Sequence, residues 1–85
     1  MYTNGMTIEN AISRFWNYAK RDIEDIEFAK KRANSYEAAN DLVKYNEWAD
    51  IAEYKEINIL NMHYIIFGYH ISYEVLKIAC MHRTT

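Results

Sequence analysis

No proline and only two glycines, Gly5 and Gly68, interrupt these 85 residues. Sheets need repeated turns, and turns draw on Gly, Pro, Asn and Asp. So little punctuation predicts an all-α domain, a small bundle of two to three long helices. The chain is short enough for one domain only, and one of this size buries a modest share of its surface. Yet 51% of the residues are hydrophobic and 15% aromatic. Association with further copies would hide that surplus, so a bundle completed by homo-oligomerisation is expected, with a dimer as the simplest form.

Apolar spacing places the helices. Ile8, Ile12, Phe15, Ala19, Ile23, Ile26 and Ala33 recur mostly at steps of three or four, which sets them on one side of a helix over about 8–33. Asn4-Gly5 reads as a turn before it and Thr7 as its N-cap. Arg21 with Asp25 and Glu27 with Lys31 are i,i+4 pairs on its wet side. Lys30, Lys31 and Arg32 suit a helix C-terminus, and Asn34-Ser35 reads as the break, with Ser35 capping the next helix. That second helix covers about 36–60, with Ala39, Leu42, Val43, Tyr45, Ala49 and Ala52 as its apolar positions. A third covers about 61–82. Either Asn58 or Asn61 ends one and caps the other, or the two run on as one helix. Strand formers are abundant over 62–73, which leaves a β segment there as the alternative.

Residues 59–73, ILNMHYIIFGYHISY, carry no Asp, Glu, Lys or Arg. Ile57, Leu60, Tyr64, Phe67, Ile71, Val75 and Ile78 form a stripe read as the packed face. Ile59, Met62, Ile65, Ile66 and Tyr69 fall off it, so the segment is apolar nearly all round. A helix apolar on every side is covered on every side, and two other helices from one short chain cannot enclose it. The segment is therefore expected to pack inward on its own chain and outward on another molecule. Tyr69 is placed on the partner-facing side, with His63, His70 and Tyr73 beside it. The run is too short to span a membrane and contains Asn and His. The first ten residues lack a basic region followed by an apolar run, so no signal peptide is expected. A single cysteine, Cys80, excludes an internal disulfide framework and favours a reducing, cytoplasmic location.

Chemistry is hard to find. His63 and His70 are seven apart, about 10 Å along a helix, wide for a shared metal ion. Neither H-E-x-x-H nor Glu-x-x-His occurs. No metal or cofactor is expected. Cys80 with His70 or His82 lacks a third group, and a buried thiol acting as a small hydrophobe is the better account. Phosphate loops, C-x-x-C pairs and nucleophile elbows are absent, so no enzymatic activity is expected. Net charge is -2, and Lys30, Lys31 and Arg32 are too few for a nucleic-acid stripe. Glu47, Asp50 and Glu53, followed by Glu56, wind round the second helix and with Glu37 and Asp41 make it acidic, a surface that would dock a basic partner.

The function expected is therefore a small helical protein–protein interaction module that binds or occludes a partner protein. Thirty-three of the 85 residues are Asn, Ile, Lys or Tyr, which suggests AT-rich coding. An inhibitor of a host defence system carried by a phage or mobile element, anti-CRISPR-like, would fit that composition. The alternative is an oligomeric nucleotide sponge. In it Tyr64, Tyr69, Tyr73, His63 and His70 line an inter-subunit pocket and Lys30, Lys31 or Arg32 holds phosphate.

Overall fold

In a computed structural model, which describes residues 7–83, the chain forms three helices: α1 (Ile8–Ala38), α2 (Leu42–Phe67) and α3 (Tyr73–Arg83). Among the described residues there is no strand. The expected Asn4-Gly5 turn lies outside the described residues.

Each helix opens on a side-chain cap. The Thr7 hydroxyl accepts from the Asn10 amide at 3.1 Å, the Asp41 carboxylate from the Lys44 amide at 3.2 Å, and the Ser72 hydroxyl from the Val75 amide at 3.2 Å. Thr7 is the cap that the spacing predicts; the other two boundaries differ. Helix α1 runs through Asn34 and Ser35, because serine is tolerated inside a helix when the flanking residues keep packing. It stops only where Asn40 takes a left-handed φ of 63° and Asp41 caps α2. The Lys30–Arg32 run therefore lies about two turns inside α1 and not at its end. Asn58 and Asn61 are likewise interior to α2. Gly68, at φ 85°, ends that helix, its amide donating to the Tyr64 carbonyl at 2.8 Å.

Direction follows from the contacts. Lys30 pairs with Glu56 at 3.4 Å and Lys55 with Asp25 at 3.6 Å, while Phe67 stacks edge-on to Phe15. Helix α2 thus runs antiparallel to α1. Helix α3 starts beside Glu27 and ends with Arg83 over the Trp16 ring at 4.6 Å, so it too runs antiparallel to α1 and in the same direction as α2. Residues 68–72 are an extended strap that carries the chain back from the far end. The molecule measures 50 × 29 × 20 Å. Both α2 and α3 pack against α1, and they touch each other.

The core is the seam where the three meet: Phe15, Ala19, Ile23, Ile26 and Ala29 of α1, Ala52 and Ile59 of α2, and Tyr73, Leu76 and Cys80 of α3. The α1 positions are largely those its periodicity marks, although Ile8 is exposed. On α2 the phase differs. The buried line runs through Ala52, Ile59 and His63, whereas Ile57 and Tyr64 of the expected stripe face outward, as do Val75 and Ile78 on α3. Leu60, Phe67 and Ile71 are half-buried against the core. Leu42 and Val43 are exposed. A segment apolar all round has no preferred phase of its own, so the α1 surface sets it.

Candidate functional site: the outward face of α2

Two of the expected partner-facing residues lie in the interior. His63 is 3% exposed and shares helix phase with Ala52 and Ile59. Its ring stacks on Phe67 at 4.6 Å and meets Phe15 and Tyr69 edge-on. Tyr73, 5% exposed, donates its hydroxyl to the Glu27 carboxylate at 2.8 Å. Lys77 pairs with that carboxylate at 3.5 Å, and Lys30 lies 4.4 Å from the Tyr73 ring centre. Glu27 thus anchors α3 and does not pair with Lys31 on a wet surface; Asp25 pairs across to Lys55. The Tyr73 hydrogen bond and the two lysines hold the Glu27 carboxyl below its ordinary value against the opposing effect of burial. Burial first, then the Glu27 bond and charge, pushes the Tyr73 phenol far up. Both side chains pack within the bundle.

Burial also lowers the His63 pKa, with hydrogen bonding to the Tyr69 backbone pulling the other way, and its Nδ1 is buried without a partner. The unfolded chain therefore binds a proton at His63 more readily than the folded chain does, so stability is full above the ordinary value of 6.5 and declines as pH falls below it. The free energy of unfolding, measured by urea titration, should drop between pH 7.5 and 5.5 with a limiting slope of about 1.4 kcal/mol per pH unit for one group. His63→Phe should flatten that slope. An equal slope in both proteins would refute the assignment.

Tyr69 and His70 are exposed, and they lie on the strap and not on a helix as the 61–82 span places them. The His70 ring lies flat on Tyr64 at 4.1 Å, 6° from parallel, which pins the strap to the flank of α2. Glu47, Asp50 and Glu53 are exposed on the first half of α2. Asp50, Glu53 and Glu56 line a groove of ≈ 390 Å³ whose floor is Ala33, Ala49 and Ala52 and whose far wall is Lys30. Among the described residues, no group of three or more His, Cys, Asp or Glu is placed to hold a metal ion. Cys80 is buried at the α1–α3 seam, and burial, partly offset by Lys20, raises its thiol pKa, the state of an inert thiol.

The residues that spacing overlooked are on α2. Tyr54 (68% exposed), Ile57, Asn58, Asn61, Met62, Tyr64 and Ile65 (78% exposed) occupy the side turned away from α1. No charged residue lies between Glu56 and Glu74, so this face is uncharged from Ile57 to the end of the helix. Among the described residues, these side chains stay exposed, with the His70 ring against Tyr64 at one edge. Its central line, Glu47, Ile51, Tyr54, Asn58, Asn61, Ile65, steps 4-3-4-3-4. That is the repeat of a helix–helix seam, and it was legible before folding.

No known protein family matches the chain, and neither a curated protein nor a solved structure matches it. Among the described residues, no helix is long and apolar enough to cross a membrane.

Proposed function

We propose that this chain is a protein-interaction module that acts by docking the outward face of α2 on another protein surface. The observation that carries the reading is the exposure of Tyr54, Ile57, Ile65 and Tyr64 in one uncharged strip along α2. Single exposed hydrophobics are ordinary, but a contiguous strip rimmed by polar groups marks an interaction surface. Tyrosine at such a place supplies area and a polar handle together. The acidic first half of α2 would orient an incoming partner rather than bind it tightly. Occlusion of the partner's own site, as an inhibitor of a defence system would achieve it, is one outcome of such docking.

The nucleotide reading gains no comparable support. It needs Tyr73 and His63 at a pocket, and both are committed to the core. It would hold phosphate with Lys30, Lys31 or Arg32; of these, Lys30 is paired with Glu56 and Arg32 lies over the Phe28 and Trp48 rings.

A photo-reactive amino acid at position 65 tests the proposal, with one at exposed position 21 on α1 as control. Irradiation of cells producing the chain should give discrete protein adducts from position 65 and none of comparable yield from position 21. Equal yields, or no adduct at position 65 from soluble protein, would overturn it.

A further inference from the structure

Resting on that reading, we infer that the outward face of α2 takes a second copy of the same chain, the two α2 helices pairing antiparallel about a two-fold axis level with Asn58 and Asn61. The face is self-complementary in that arrangement and in no other simple one. Its uncharged strip runs from Tyr54 to Ile65, and a two-fold axis through its middle lays the whole strip on itself. Along the 4-3 line this sets Tyr54 over the partner's Ile65, and Asn58 beside the partner's Asn61, with the same two layers repeated across the axis. Both asparagines are exposed and each carries a donor and an acceptor, so the central pair can satisfy one another. A polar layer at the middle of an apolar seam is the device that fixes register in paired helices.

Charge selects the direction. In a parallel pair, Glu47, which lies on the central line, would face the partner's Glu47, with repulsion at that layer. In the antiparallel pair, Glu47 and Asp50 pass beyond Phe67, the last residue of the partner's α2, and lie far from the partner's Glu47 and the partner's Asp50. Area supports the occupant too. Six half-exposed large side chains (Ile51, Tyr54, Ile57, Met62, Tyr64, Ile65), at about 100 Å² each, offer on the order of 600 Å² per copy and ~1,200 Å² for the pair, the lower edge of a specific interface. Only Phe15, Ile26, Ile59 and Leu76 are large side chains buried to the last 2%, against fifteen large hydrophobics left exposed among the described residues. A second copy would redress that imbalance.

Light scattering and cysteine cross-linking decide the matter. The wild type should scatter as a dimer at high micromolar concentration. Ile65→Lys should raise the dissociation constant roughly tenfold or more while the circular dichroism stays helical. With a short bis-maleimide, Asn61→Cys should give a covalent dimer. Val43→Cys, on the same face but about 50 Å from its counterpart in an antiparallel pair, should not, and the wild type with its buried Cys80 should stay unlinked. A wild type that scatters as a monomer throughout would overturn the inference. So would Val43→Cys linking as well as Asn61→Cys, or Ile65→Lys leaving the dimer intact. If the wild type is monomeric but the position-65 photo-adducts contain a foreign protein, the second copy is wrong and the interaction reading stands. If there is neither dimer nor adduct, both fall.

Discussion

Phe15→Ala is expected to cost about 3–5 kcal/mol and to leave most of the chain unfolded at room temperature. Phe15 is almost completely buried, and its ring meets Trp16 at 5.1 Å, His63 at 5.6 Å and Phe67 at 5.5 Å, all edge-on. Deleting it removes one member of three ring pairs and opens a cavity that a half-exposed Trp16 cannot fill without losing its own contacts. The neighbouring Trp16 Nε1 and His63 Nδ1 are buried without partners, so water entering the void would meet polar atoms there and would not restore the lost packing. A small domain has little stability in reserve. Urea titration followed by circular dichroism measures the loss. Phe28→Ala serves as the comparison, because Phe28 is half-exposed, meets Trp48 edge-on and has the Arg32 guanidinium over its ring; it should cost far less. A Phe15→Ala protein that melts within 1 kcal/mol of the wild type would contradict this account of the core.

Leu76→Ala should cost about 2–5 kcal/mol at its site and should fall unequally on the molecule. Helix α3 has only eleven residues, too few for stability by itself in water. It is held by Tyr73, Leu76 and Cys80 beneath and by the Glu27 cluster at its start. Leu76 is the large fully buried side chain of the three. Losing it should release α3 and the strap while the α1–α2 hairpin stays helical. Amide exchange should then rise over 73–83 well above the change at Ala19–Ala29, and the Cys80 thiol should become reactive to a disulfide reagent. A uniform rise over all three helices would mean that α3 is inseparable from the rest.

The all-α class was readable because it rests on an absence, no proline and scarce glycine, that tertiary contacts do not override. The phase of α1 was readable for a different reason: polar residues fill its other side, so its apolar positions point one way. The α2 phase was not. Between Ile57 and Phe67 every direction is uncharged, and Ile57–Leu60–Tyr64 serves the spacing rule as well as Ile59–His63–Ile66 does. Only the surface of α1 distinguishes them, and it selected the line containing a histidine. Helix ends suffered similarly. Ser35 and Asn58 have capping side chains, but a cap forms only where the chain turns, and the turns were at Asn40 and Gly68, whose backbone conformations are left-handed. The outward strip itself was visible as an uncharged stretch, while its occupants were misassigned by that same shift of phase. Tyr73 was misplaced because its partner Glu27 is remote in sequence.

That remoteness has a kinetic consequence. The Tyr73 hydroxyl reaches Glu27 across 46 positions, whereas α1 and α2 meet across the three residues between Ala38 and Leu42. Closing the larger loop costs more chain entropy. The two long helices should therefore zip together from their connecting turn before the strap is laid back and the last helix docks. Substitutions under that helix would then hasten unfolding while leaving the refolding rate nearly unchanged, the pattern of contacts made after the rate-limiting barrier. The segment laid down last is also the one that lets go first, so any route by which this chain is cleared by proteolysis should begin at the strap.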